Sequence, residues 1–422
     1  MTILFQQVLK NLRVFRQQGV NFISNLITMP TENNYRAQVL FDLGATPAEV
    51  TELLAYNENI FHSPNLANSN FPLESAPHIT DWQRYHQEAE DVGVFTVLSS
   101  ALVQFQFPIR PGISENENYR AVTRKGQSTD GMAEATGLKL EKPEELQLLI
   151  HPTLAGEIPI LITGCRADFI SLVQALTKRN EPVAISDSMG ATAVGGFNNW
   201  ERIRHYRKQW EVDQEKPVTE ADWQAEFQRL IPQKHLYQDF FIILSHGNYS
   251  AVVAEDLGLE EAEWLRLSLT IRIEHECCHY FTKRVFGSMR NNMLDELIAD
   301  YQGIVVANNG IYRADWFLRF VGLEEFPHYR EGGRLENYRG NPPLSDGALR
   351  ILQALVKQAA ENLELFNANH IAELTTNENQ GQLITVLTSC TLEELAAAKG
   401  AVLEEIWQSR TYRSDIANLK LH

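Results

Sequence analysis

The sequence predicts an α+β protein. Three observations carry that reading: apolar residues recur at helical spacing through both ends of the chain, two short uninterrupted apolar runs in the middle read as buried strands, and a long helical segment after the second run stops at a glycine. With 422 residues, 44% of them hydrophobic, the chain can bury a sizeable core and build two or three domains. Its 54 acidic and 37 basic side chains give a formal charge of -17. Such a charge repels polyanions, which excludes nucleic acid and anionic membrane surfaces as natural partners. Four cysteines, Cys165, Cys277, Cys278 and Cys390, are too few and too irregularly spaced for a disulfide framework. A reducing, cytoplasmic setting is expected.

From the amino terminus, "MTILFQQVLKNLRVFRQQGVNF" places Leu4, Phe5, Val8, Leu9, Leu12 and Phe15 at helical spacing. The reading is an amphipathic helix packed on the protein. Lys10, Arg13 and Arg16 interrupt any signal-peptide core, so secretion is not expected. No apolar run of bilayer-spanning length occurs, so stable membrane insertion is not expected either. Next, "TPAEVTELLAY" opens with Thr46, Pro47 and Glu49, a capping box with proline at the first helical position. The proline-rich loop "HSPNLANSNFPLESAPH", a helix around "DWQRYHQEAEDV" and the apolar "VFTVLSSALVQFQF" complete a mainly helical region, residues 1–154.

The pattern changes near residue 157. "IPILITG" reads as a strand, "CRADFISLVQALTKRN" as a helix and "PVAIS" as a second strand, together a βαβ unit. A strand "FFIILS" at 240–245 follows. A helix from about Glu260 to Phe286, ended by Gly287, and another through "NMLDELIADYQGIVVAN" to about residue 308 fill out a core region, residues 155–344. Beyond it, residues 345–422 are helical again, with Thr391 and Glu394 forming a capping box.

Within the long helix, "RIEHECCHYF" puts His275 and His279 four residues apart, so both imidazoles project from one helical face and can bind one cation. Zinc suits that pair. Glu276, one position on, has the placement of a general base acting on a metal-bound water. In the following helix, Glu296 and Asp300 are one turn apart and share a face. Together these segments resemble the catalytic core of the gluzincin zinc metallopeptidases, the thermolysin-like group. The resemblance covers residues 275–300, about a sixteenth of the chain. It implies a zincin-like core with a mixed sheet and two active-site helices. It also implies His275, His279 and Glu296 as zinc ligands, Glu276 as general base and Asp300 as the group that orients a ligand histidine. The activity implied is hydrolysis of a peptide or small amide substrate. Outside that core no characterised family is matched; the segments "SMGATAVGGFNNWERI" and "MRNNMLDELIADY" are similar to uncharacterised bacterial proteins.

Zincins hold extended substrate on a strand edge upstream of the active helix. "FFIILSHGNYSAVVAEDLG" offers a buried strand, a turn at Gly247 and a second extended piece from Tyr249 to Val253. No family motif marks the oxyanion donor. The candidates are Arg290, His328, Tyr329, Arg334 and Tyr338, most of them in the donor-rich "FPHYREGGRLENYRG", which reads equally as a loop over the metal or a surface turn. Cys277 and Cys278 read as small side chains packing the helix. Two rival readings stand beside the zinc hydrolase. Ser188, in "SDSMG", resembles a serine-hydrolase nucleophile elbow with its first glycine replaced and with the following glycine-rich stretch as a loop. A non-catalytic zinc-binding scaffold would keep the ligands without needing Glu276. The oligomeric state has no signature in the sequence.

Overall fold

The structure is a computed structural model that describes residues 31–61, 70–214, 216–289 and 292–409. The expected N-terminal amphipathic helix and Arg290 lie outside the described residues. The chain divides into two compact units: a central unit, Leu66–Val285, and a split unit formed by the segments on either side of it in sequence. The boundary expected at 154/155 therefore falls inside the central unit, and that at 344/345 inside the split unit. Among the described residues, no helix is long and apolar enough to cross a membrane.

Two helices open the split unit, α1 (Thr31–Asp42) and α2 (Pro47–Tyr56). The expected capping box starts α2: Thr46 Oγ1 accepts the Glu49 N–H, and Glu49 returns a carboxylate to the Thr46 N–H at 2.7 Å.

The central unit begins with α3 (Ile79–Val92), α4 (Val94–Ala101) and α5 (Glu117–Lys125). Strands β1 (Gln147–His151) and β2 (Ile158–Thr163) follow, then α6 (Arg166–Thr177), β3 (Ala191–Asn198), α7 (Trp200–Val212), α8 (Glu220–Leu230), β4 (Gln238–Ser245) and the long α9 (Glu261–Phe286). The four strands form one mixed sheet in the order β1-β2-β4-β3. β2 runs parallel to β4, with Ile160 opposite Ile242, while the two outer pairs are antiparallel. The α+β class is thus observed, and β2 and β4 hold the middle of the sheet because their residues are apolar on both faces.

Two local expectations fail. "PVAIS" forms no strand; the strand is the next stretch, β3, whose glycines predict a loop. A strand exists only where a partner accepts its ladder, and β4 pairs with residues 191–198, absorbing the glycines through a bulge between Gly195 and Phe197. A Cβ on Gly195 would lie 3.0 Å from the Phe240 ring, so a larger residue there would push that ring aside. Likewise, Tyr249 begins a tight 3₁₀ turn rather than an extended edge, with Ser250 and Ala251 at φ 51° and 57°.

One core of the central unit gathers Trp82, Leu98, Phe105, Leu161, Phe169, Leu172, Phe241 and Ile243. A second gathers Phe107, Tyr119, Val122, Trp200, Trp223 and Leu230. Between strand and helices runs a buried polar network: Asp239 accepts from Trp82 Nε1 at 2.9 Å, Asn199 Nδ2 at 2.8 Å and Arg202 at 2.8 Å, and Arg202 also reaches Asp81 at 3.0 Å. Three donors on one buried carboxylate satisfy the lone pairs that water would otherwise occupy.

The split unit resumes with α10 (Met293–Ala307), α11 (Ala314–Val321), a 3₁₀ turn at Arg334–Tyr338, α12 (Asp346–His370), α13 (Asn377–Ser389) and the short α14 (Leu392–Leu395). The capping box expected at Thr391 and Glu394 is present. Glu393, fully buried, accepts from Arg36 and from Asn57 at 3.0 Å, tying α1 and the end of α2 to α14 across 357 positions of sequence.

Candidate metal centre

Helix α9 is a continuous 26-residue helix, so its i, i+4 positions stack on one face. His275 and His279 are both buried, with their Nε2 atoms 3.1 Å apart and their rings nearly perpendicular. His275 Nδ1 lies 3.0 Å from the Tyr249 hydroxyl. When the His275 proton sits on Nδ1 and is donated to that oxygen, the Nε2 lone pair faces His279. Tyr249 is itself fixed: its backbone N–H donates to Ser268 Oγ at 3.0 Å, and the Arg272 guanidinium stands 5.7 Å from its ring. Arg272, buried, donates to the carbonyls of Ser245 at 3.0 Å and of Gly247 and Asn248 at 3.3 Å. It thereby ties the end of β4 to the helix one turn before the histidines. Gly190 leaves room for it, since a Cβ there would meet Arg272 Nε at 2.9 Å.

The histidine pair fits zinc. Two imidazole nitrogens bound tetrahedrally at zinc–nitrogen distances near 2.0–2.1 Å stand about 3.3 Å apart. The observed 3.1 Å is close to that spacing. Glu276 follows His275 on the same helix and is partly exposed. Cys277 and Cys278 are both buried, and burial pushes the Cys277 thiol well up from its ordinary value.

In the split unit, Asn292 caps α10 by accepting the N–H groups of Leu294 at 3.1 Å and Asp295 at 3.2 Å. One turn further on, Glu296 and Asp300 are 3% and 0% exposed. Two buried carboxylates on one face need cationic or donor partners. Arg334 donates to Asp300 Oδ2 and stands 3.9 Å from Glu296 Oε2, and the Tyr338 hydroxyl donates to Glu296. Burial pushes the Tyr338 hydroxyl above its ordinary range, the Arg334 charge pulls it down and Glu296 adds to the rise. The tyrosine stays protonated and remains a donor.

Of the expected oxyanion donors, Tyr338 is therefore beside an α10 carboxylate, as is Arg334. His328 is exposed in the turn after α11, where its backbone N–H donates to Glu325 O at 2.9 Å. Tyr329 braces the loop, donating to Gly333 O and accepting the Glu336 N–H at 3.1 Å. Asp300 was expected to orient a histidine; within its own unit it is the acceptor for Arg334. The partners Tyr249 and Arg272 were not picked out from sequence. The turn that begins at Tyr249 has positive φ values at Ser250 and Ala251, residues whose names do not predict them.

Ser188 has no elbow geometry. It is exposed, its hydroxyl is 2.8 Å from that of Ser186, and the chain continues into strand β3 rather than into a helix.

What the fold and site define is an α+β protein with a buried histidine pair suited to a divalent metal. Residues 38–399 match a family of unknown function, DUF7005, and the chain belongs to that family. No curated protein and no solved structure matches it significantly.

Proposed function

We propose that this protein is a zinc-dependent hydrolase acting on a peptide or small amide bond in the cytoplasm, with His275, His279 and Glu296 as the metal ligands. The observation that carries the reading is the buried Nε2–Nε2 pair at 3.1 Å, oriented by Tyr249 and followed on the same helix by Glu276. The order strand β4, helix α9, helix α10 and the five positions from His275 to Asp300 resemble the gluzincin pattern, and that resemblance supports the reading.

Zinc, when bound, supplies a Lewis acid and an activated water. Glu276 takes up a proton at a carboxylate oxygen and returns it to the leaving nitrogen.

The deciding experiment is metal analysis of untagged protein, wild type against His279→Ala, together with turnover of a peptide library by wild type and Glu276→Gln. The reading expects one zinc per chain, lost with His279→Ala, and a Glu276→Gln protein that keeps zinc but loses hydrolysis. A wild type that takes up no zinc after incubation and desalting overturns it. Zinc without any hydrolysis leaves the non-catalytic scaffold.

A further inference from the structure

We propose that Arg334 is a positioning residue that holds the two α10 carboxylates in place and thereby sets how tightly the chain binds zinc. The inference rests on the reading of Glu296 as a ligand. Glu296 and Asp300 are buried one helical turn apart, where like charges repel and water screens little. The Arg334 side chain is 17% exposed and meets both, as a hydrogen-bond donor to Asp300 and at 3.9 Å from Glu296. A planar guanidinium offers donors in fixed directions, so it can orient one carboxylate while neutralising its neighbour.

The turn that carries Arg334 is pinned at both ends. At its start, Gly333 packs so closely on Gly322 that a Cβ would lie 2.7 Å from the Gly322 Cα and 2.8 Å from Val321 O. Tyr329 binds the carbonyl of Gly333 and the N–H of Glu336. At its other end, the Tyr56 hydroxyl donates to Tyr338 O at 2.7 Å and accepts the Met293 N–H, the first residue of α10, at 3.4 Å. Arg334 is thus delivered to α10 by a turn anchored on α11 and on α10 itself.

Two effects of this arginine on zinc oppose each other. As a positive charge it repels a cation; as a fixed donor it keeps the carboxylates oriented. Positioning is the larger effect, which makes the sign of the test informative. In a zinc competition titration against a chromophoric chelator at fixed pH, Arg334→Met weakens zinc binding about 10–100-fold, the usual size for losing a partner of a ligand. Arg334→Lys, which keeps the charge but not the fork, recovers only part of that loss. Thermal melting of the zinc-free proteins checks folding; should Arg334→Met fail to fold, Arg334→Gln and Arg334→Lys are read instead, the first removing the charge and the second only the fork. Zinc binding by Arg334→Met that is unchanged or tighter overturns the inference, as does full recovery in Arg334→Lys. If wild type binds one zinc that His279→Ala loses, such a result sinks the positioning role alone; if wild type binds none, the hydrolase reading falls with it.

Discussion

The Tyr249 hydroxyl lies 3.0 Å from His275 Nδ1 and can accept a hydrogen bond from its N–H, which leaves Nε2 with its lone pair. Tyr249→Phe removes that contact with little change in volume. We expect zinc affinity to fall by about tenfold or more while the melting temperature hardly moves, in line with other outer partners of ligand histidines; unchanged affinity would make the contact incidental. Thiol chemistry offers a second check. Cys165 is partly exposed, whereas Cys277, Cys278 and Cys390 are buried. Brief alkylation of the native protein should mark Cys165 first, and rapid labelling of Cys277 by mass spectrometry would contradict the buried helix face. His78 supplies a pH dependence. Burial lowers its pKa from 6.5 to about 4, although its ring nitrogen lies 2.9 Å from Phe240 O. The unfolded chain therefore binds this proton more readily than the folded one. The stability gained by keeping His78 neutral is complete above about pH 6.5 and is lost as pH falls towards 4. His78→Asn lacks that loss, so denaturant midpoints should show the gap between variant and wild type moving in the variant's favour on acidification, by on the order of 3 kcal/mol at most.

Elements are held by a few close approaches. The contact between Gly322 and Gly333 brings backbone against backbone, which no rotamer change can relieve. Gly333→Ala should cost about 1–3 kcal/mol through overpacking and displace the turn that carries Arg334 and Tyr338. Chemical denaturation measures the first effect and zinc titration the second; a variant as stable as wild type would show that the loop has room to shift. Strand β3 teaches a related lesson. Its glycines would weaken an isolated strand, yet β4 recruits it through a bulge, so the pairing partner outweighs local propensity.

Across the whole molecule, the split unit depends on residues far apart in sequence. Arg36, Asn57 and Glu393 form one buried charged cluster. Burial raises the Glu393 pKa, with Arg36 and then Asn57 opposing the rise. Glu393→Ala strands the Arg36 guanidinium, 7% exposed, without its counter-charge. The expected loss is about 3–5 kcal/mol, the size seen when one partner of a buried pair is removed. A melting temperature equal to that of wild type would show that the cluster opens to water. This cluster also explains why the expected divisions at 154/155 and 344/345 do not follow the compact units: composition changes along the chain, whereas compactness depends on which distant segments bury each other.

By itself the sequence determined the α+β class, the buried strands β2 and β4, the capped starts of α2 and α14, the extent of α9, and the face shared by His275 and His279. All of these are local, set by periodicity, capping chemistry and a four-residue spacing that any helix turns to one side. Tertiary structure decided the rest. It chose β3 over "PVAIS", because a strand is defined by its partner. It brought Tyr249, at the start of a turn with two positive φ values, to His275, and Arg334 and Tyr338 rather than His328 to the carboxylates of α10. Those choices depend on residues tens of positions apart meeting in space, and sequence spacing carries no record of where such encounters fall.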